Sequence, residues 1–558
     1  MAATMPTDLM EASIEQLGYG LRQHQFTSVG LVKAYLLKIA EVNGELNAVL
    51  ETNPDALSIA ASLDEERADG KVRGPLHGIP ILIKDFIATK DKLNTTGTFI
   101  RDHHCGRLLF PFTADLLPAG SYALLGAKVS HDATIVTKLR KAGAIILGKT
   151  NLSQWAHLRS FNTTNGWSAR GGQTHGPYFP DQDPWGSSSG SAVSVALGLS
   201  AAALGTETDG SITYPASYNN IVGIKPTVGL TSRHMIISFS EHEDTVGPLA
   251  RTVKDAAYLL QVISGVDRRD NYTSAIPDGV VPDFVSACKP SALASVRLGI
   301  PRNAISILSD NASRPMLEAF EWSVDVLRAA GATIIEDANF TAAVEYMNST
   351  ATSTVVFADW KMNLPLYLAA LAFNPQNIGT LEDLRNFITT SPLEDSLKRD
   401  VSLMDLAIQS PPHNNKDPQF WEAYQKALYF GEEGGLAGAI ERHQLDAVIL
   451  PANFAPHWAA SIGAPIITVP MGAYPAGTPM AKDAWGLVEV ASNIPSACPH
   501  PHREIGKRFS EKQLVGMAYA FEQRTKFRDK LKPYVTPKAS IEVTKRGNEV
   551  EVQVEESD

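Results

Sequence analysis

At 558 residues, with 44% apolar and 20% charged side chains, the chain can bury a large core and has the make-up of an ordinary folded protein, which excludes disordered, collagen-like and membrane-spanning classes. Its net charge of −11 includes no run of Lys and Arg dense enough to follow a phosphate backbone, so nucleic acid is not an expected partner. Three cysteines are too few for a disulfide framework and point to a reducing, cytoplasmic setting.

Residues 1–25 read as an N-terminal segment: acids and Pro6 are present, but no basic stretch leads into an apolar one, so no secretory signal is expected. Residues 28–42 carry apolar side chains at helical spacing behind Thr27 or Ser28 as N-cap. A second helix is predicted near residues 54–66. The apolar run 79–83 follows a Gly/Pro-rich approach and is short enough for a buried strand ending at Lys84 and Asp85.

A helix, a glycine and a strand then recur in that order around Gly143 and around Gly331, each glycine standing where a helix C-terminus places one. Residues 192–204, rich in Ala, Gly and Ser, read as a helix packed closely inside the protein. Further apolar runs at 447–450 and 466–469 complete the pattern of an α/β protein with helices over a central sheet. Residues 290–440 are helical in pattern and hold no recognisable chemistry. Gly and Pro are spread evenly, so residues 26–535 read as one domain, with residues 536–558 as a charged tail.

Two familiar patterns are present in the wrong context. Residues 143–150 (GAIILGKT) match the phosphate-loop spelling, yet the residues between the glycines are Ala, Ile, Ile and Leu, which form a strand rather than a phosphate cradle. Residues 186–190 (GSSSG) match a nucleophile elbow centred on Ser188, but the preceding residues 180–185 (PDQDPW) cannot supply the strand such an elbow needs. His103, His104 and Cys105, and likewise Cys498, His500 and His502, lack the paired spacing of a zinc site, so no metal and no cofactor is expected.

Three separated elements agree with one another: residues 74–86 (GPLHGIPILIKDF), residues 186–192 (GSSSGSA) and residues 205–216 (GTETDGSITYPA), followed by residues 223–230 (GIKPTVGL). Together they resemble the amidase signature family. The resemblance implies an α/β fold with a central mixed sheet covered by helices on both faces. It also implies hydrolysis of carbon–nitrogen amide bonds without a cofactor, through an acyl-enzyme. Carried over residue by residue, the family's base falls on Lys84, its cis-peptide serine on Ser187 and its nucleophile on Ser211. The oxyanion site falls on the backbone of Thr208, Asp209 and Gly210 leading into Ser211, and Asp209 stands where many members have Gly.

These residue types suit the chemistry. A serine hydroxyl needs a base to attack an amide, and a lysine serves when burial leaves it neutral. Ser187 can accept a proton from Ser211 and hand one towards the leaving nitrogen. Within the family, residues 151–160 (NLSQWAHLRS) and 166–178 (GWSARGGQTHGPY) look most like peptide amidases, which implies a peptide amide or small amide as substrate. The alternatives are the glutaminase component of an amidotransferase, or a catalytically impaired homologue used for binding. The sequence leaves the oligomeric state open.

Two segments depart from the family pattern. Residues 496–504 (SACPHPHRE) replace an expected apolar stretch. Residues 97–118 (GTFIRDHHCGRLLFPFTADLLP) interrupt it: joining Thr96 to Ala119 restores continuous family text, the 22 residues keep the reading frame, and the ends can encode GT and AG, so the segment reads as a retained intron, the alternative being a genuine surface insertion.

Overall fold

The computed structural model describes residues 9–94, 120–309, 313–451, 454–495 and 501–541, with only the backbone described for 501–504. The interrupting segment 97–118 and residues 496–500 therefore lie outside the described residues, as do the histidines and cysteines they contain and the tail beyond residue 541.

The helical spacing after residue 27 becomes a helix at Ser28–Leu46, and Thr27 caps it by accepting a hydrogen bond from the Gly30 N–H at 3.0 Å. The second helix runs Ala56–Ala68. Both helix–glycine–strand units form: helix Thr134–Lys141 turns through Gly143 at φ +80° into strand Ile145–Thr150, and helix Arg314–Ala329 turns through Gly331 at φ +97° into strand Thr333–Ile335. The phosphate-loop spelling is thus a strand, and the Lys149 side chain is buried with its Nζ donating to the Ile87 carbonyl.

One expectation is corrected. Residues 192–204 do not form a single helix. The helix Ser189–Ala196 stops at Gly198, where φ is +60°, and Ala202–Glu207 is a central strand. Small residues suit both halves, because the helix packs directly on the strand that follows it.

The main sheet has eleven strands, in the spatial order Val49–Thr52, Ile145–Thr150, Pro80–Lys84, Ala202–Glu207, Thr245–Ala250, Val222–Lys225, Ile466–Pro470, Pro501–Ile505, Ala447–Leu450, Arg297–Gly299, Thr333–Ile335. It is mixed. Pro80–Lys84 runs parallel to both of its neighbours, whereas Ala202–Glu207 and Thr245–Ala250 are antiparallel. Helices Ser189–Ala196, Val253–Ile263 and Glu511–Thr525 pack against the sheet, giving an α/β architecture. The main apolar core extends through it; Leu17 and Leu21 from ahead of residue 26, and Ile541 from after residue 535, belong to that core.

Candidate active site

A strand paired on both edges and buried on both faces can be apolar throughout, and Pro80–Lys84 is fully buried. Lys84 ends it, so the ammonium is delivered into the interior rather than to water. Its Nζ lies 2.7 Å from Ser187 Oγ, 3.1 Å from Ser188 Oγ and 3.3 Å from the Thr206 carbonyl oxygen. Burial holds the Lys84 pKa well below the ordinary lysine range, against the opposing pull of the Asp244 and Glu207 carboxylates.

The peptide bond between Gly186 and Ser187 is cis. Glycine at 186 leaves room for Ser153 Oγ, which a Cβ there would approach to 2.1 Å. Ser187 and Ser188 differ in their surroundings. The Ser188 side chain is buried, and besides contacting Lys84 it donates to the Thr206 carbonyl oxygen at 3.2 Å. Neither Ser187 nor Ser188 lines the adjoining cavity, whereas Ser211 does.

The turn from Thr208 to Ser211 is held from several sides. Thr208 Oγ1 donates to Asp244 Oδ1 at 2.5 Å. Asp209 is hydrogen-bonded to His457 Nδ1, which arrives from helix Pro456–Ala460. Gly210 adopts φ +88°, and a Cβ on it would strike the Tyr214 ring at 2.1 Å. Just after the turn, Glu207 Oε2 accepts the N–H groups of Ile212 and Thr213 at 2.7 and 2.8 Å, anchoring the start of helix Thr213–Tyr218. By contrast, the N–H groups of Asp209, Gly210 and Ser211 donate to no other described residue, and the Ser188 N–H binds the Ser211 carbonyl at 3.1 Å.

A cavity of about 420 Å³ opens over this turn. Thr208, Asp209, Ser211 and Glu243 line its polar side, and Leu158, Phe161, Val356, Phe357, Leu403 and Leu406 line its apolar side. The Ser211 hydroxyl has no hydrogen-bond partner among the described residues, Ser187 included. Catalytic hydrogen bonds commonly tighten only once substrate is bound.

The sequence identifies Lys84, Ser187 and the 208–211 turn, and the fold assembles them. It does not identify the wall from helices Ala351–Ala369 and Ser402–Gln409, which lie in the stretch expected to hold no chemistry. Nor does it identify Glu243 or His457. His457 is 248 positions from Asp209, and no local pattern announces such a contact. The acidic text at 241–244 (EHED) is the available signal for Glu243.

Among the described residues, Glu241, His242 and Asp359 are the one group with metal-ligating atoms close together, within 4.8 Å. They are bonded internally, His242 Nδ1 lying 2.6 Å and Ser240 Oγ 2.7 Å from Asp359 Oδ2.

The Amidase family profile matches residues 30–106 and 117–466. The chain belongs to the amidase signature family. It is an amidase, acting on carbon–nitrogen bonds, and the gap in the match falls inside the interrupting segment 97–118. An amidase-family protein of Arthroderma benhamiae is 47% identical over 554 residues, covering 96% of this chain and 88% of its relative. The crystal structure of a peptide amidase from Stenotrophomonas maltophilia superimposes with a TM-score of 0.77 at 34% identity, covering 95% of this chain and 99% of the bacterial one. A glutamyl-tRNA(Gln) amidotransferase component of Thermobifida fusca is 36% identical over 342 residues, which is 61% of this amidase and 62% of that relative. No helix among the described residues is long and apolar enough to cross a membrane.

Proposed function

We propose that this amidase hydrolyses peptide amides or small neutral amides through an acyl-enzyme, with Ser211 as nucleophile, Ser187 as proton relay and Lys84 as base. The observation that carries this reading is the buried Lys84 Nζ, 2.7 Å from Ser187 Oγ, behind a turn whose serine faces a cavity. A lysine kept neutral by burial accepts the Ser187 proton while Ser187 accepts the proton of Ser211. Ser211 Oγ then bonds to the amide carbonyl carbon, and the carbonyl oxygen takes the negative charge. The N–H groups of Asp209, Gly210 and Ser211, which donate to no described residue, are the donors assigned to that oxyanion in this reading, and such donors are commonly the largest single contribution to such a step.

Collapse of the intermediate breaks the carbon–nitrogen bond. The leaving nitrogen takes its proton from Ser187, which is replenished by the Lys84 ammonium. Water attacks the acyl-enzyme by the same route in reverse, releasing the acid and restoring Ser211. No metal takes part in this scheme.

The apolar side of the cavity suits an apolar acyl group, and the likeness to the bacterial peptide amidase over nearly the whole of both chains favours a peptide amide. A free-standing hydrolase is favoured over an amidotransferase component because the sequence likeness to the Arthroderma relative is 47% over 96% of this chain, whereas that to the amidotransferase component is 36% over 61%. A cytoplasmic setting belongs to the same reading. Ammonia release from N-acetyl-L-leucinamide tests it: wild type is expected to turn over and Ser211→Ala to lose at least about 10³-fold. A fully active Ser211→Ala enzyme would overturn the assignment.

A further inference from the structure

The reactive turn has a neighbour that the proposed chemistry does not use. Glu243 lines the same cavity as Ser211, is only 3% exposed, and its carboxyl has no hydrogen-bond partner among the described residues. Its carboxyl lines the cavity beside the nucleophile, where a polar group of a bound ligand can complete its hydrogen bonding.

Its position is fixed. The next residue, Asp244, accepts hydrogen bonds from the N–H groups of Phe239 and Ser240 at 2.6 and 3.1 Å and from Ser238 Oγ at 2.7 Å. These bonds tie the loop down before strand Thr245–Ala250 begins. The same Asp244 holds Thr208, so Glu243 and the Ser211 turn are positioned by one anchor.

We propose that Glu243 is a specificity-determining residue that, as a neutral carboxylic acid, donates a hydrogen bond to the carbonyl oxygen of a second amide group of the substrate. The N–H of that trans amide points the opposite way and takes no part in the contact. The preferred substrate is then an N-acylated amino-acid amide: the apolar side chain lies against Leu158, Val356 and Leu403, and the N-acyl amide meets Glu243. This inference rests on the proposed amidase chemistry and adds the group by which the substrate is chosen.

The charges around Glu243 agree with a neutral acid. Burial raises its pKa well above the ordinary glutamate value, and Asp209, Asp359 and Asp244 raise it further. Asp209 is shared with His457 and Asp359 with His242. Lys225 opposes them, but its Nζ donates to the Ala464 carbonyl and burial lowers its own pKa. Tyr346 also faces this group and is itself pushed up, chiefly by burial and then by Asp209 and Glu243, so it remains a neutral phenol.

The test compares N-acetyl-L-leucinamide with 4-methylpentanamide, which has the same apolar chain and scissile amide but lacks the second amide. In wild type, kcat/KM is expected to favour the acetylated substrate roughly tenfold, as one hydrogen bond to a group shielded from water implies. Glu243→Gln, which keeps one donor and one acceptor, should retain that ratio, whereas Glu243→Leu should bring it close to one. The wild-type ratio should also fall as pH rises and Glu243 ionises, while that of Glu243→Gln stays level. A ratio that survives Glu243→Leu would overturn the inference, as would a wild-type ratio near one. A preference for L-leucinamide, with its free ammonium, that Glu243→Gln abolishes would make Glu243 a counter-ion and also overturn it. Cleavage of both amides in a Ser211-dependent manner at equal rates contradicts this inference alone; cleavage of neither contradicts the proposed function as well. Should Glu243→Leu not fold, the pH dependence of the ratio in wild type and Glu243→Gln still decides.

Discussion

Lys84 touches two serines, and they differ in their other bonds. Ser188 also donates to the Thr206 carbonyl, while Ser187, at the cis bond, lies closer to Lys84, at 2.7 against 3.1 Å. Lys84→Ala should therefore abolish amide hydrolysis as thoroughly as Ser211→Ala, and Ser188→Ala should keep most of it; steady-state rates on one amide check all three. The pH profile follows from the same lysine. Burial depresses its pKa, and only the neutral form accepts a proton, so kcat/KM should rise with pH through the lowered Lys84 pKa and level off above it. A profile flat down to the carboxylate range would contradict a lysine base. At this scale the sequence is informative where chemistry is local: the strand-end lysine, the serine-rich run and the Gly-Ser turn each place one group. It is silent on Glu243 and His457, whose roles depend on which distant elements pack together.

The elements around the site explain how the cavity keeps its shape. Its apolar wall includes Leu158 and Phe161, on a loop where Trp155, Ala156 and His157 adopt φ of 52°, 54° and 73°. Such backbone persists only when surrounding contacts fix it. Arg159 supplies them: its guanidinium, 1% exposed, faces Glu394, 0% exposed, at 3.4 Å, and donates to Gln154 Oε1 at 2.6 Å and to the Glu394 carbonyl at 2.7 Å. Glu394 in turn accepts from Gln154 Nε2 and Ser121 Oγ, both at 2.6 Å. Breaking one partner leaves a buried charge unpaired, so Arg159→Met should cost about 3–5 kcal/mol in denaturant unfolding and raise KM through the loosened wall. A loss under about 1 kcal/mol would show that the pair does not hold the loop. Elements with strong periodicity or glycine stops, such as Ser28–Leu46 and the two helix–glycine–strand units, are legible from sequence. Residues 192–204 are not, since a run of small apolar residues suits a buried helix and a buried central strand equally.

For the whole molecule, the main sheet places its chemistry on adjacent strands: Lys84 ends one strand, and the neighbouring parallel strand Ala202–Glu207 leads into the nucleophile turn. Of these two strands the one ending at Lys84 is legible in the sequence, whereas Ala202–Glu207 begins inside the run read as a helix, and the order of the strands, including the far half with Arg297–Gly299 and Thr333–Ile335, can be placed only in three dimensions. Residues 97–118 lie outside the described residues, and every group named at the site comes from elsewhere in the chain. Deleting them, so that Thr96 joins Ala119, should leave amide hydrolysis and thermal stability unchanged or improved, and mature transcripts should lack the corresponding codons. Loss of folding on deletion would make the segment an integral part of the protein. The central claim is that Ser211, not Ser188, is the nucleophile, and the most direct measurement is peptide mass mapping after reaction with a fluorophosphonate probe. The account predicts one adduct per chain, on Ser211, absent in Ser211→Ala and present in Ser188→Ala; an adduct on Ser188, or none on active wild-type enzyme, would contradict it.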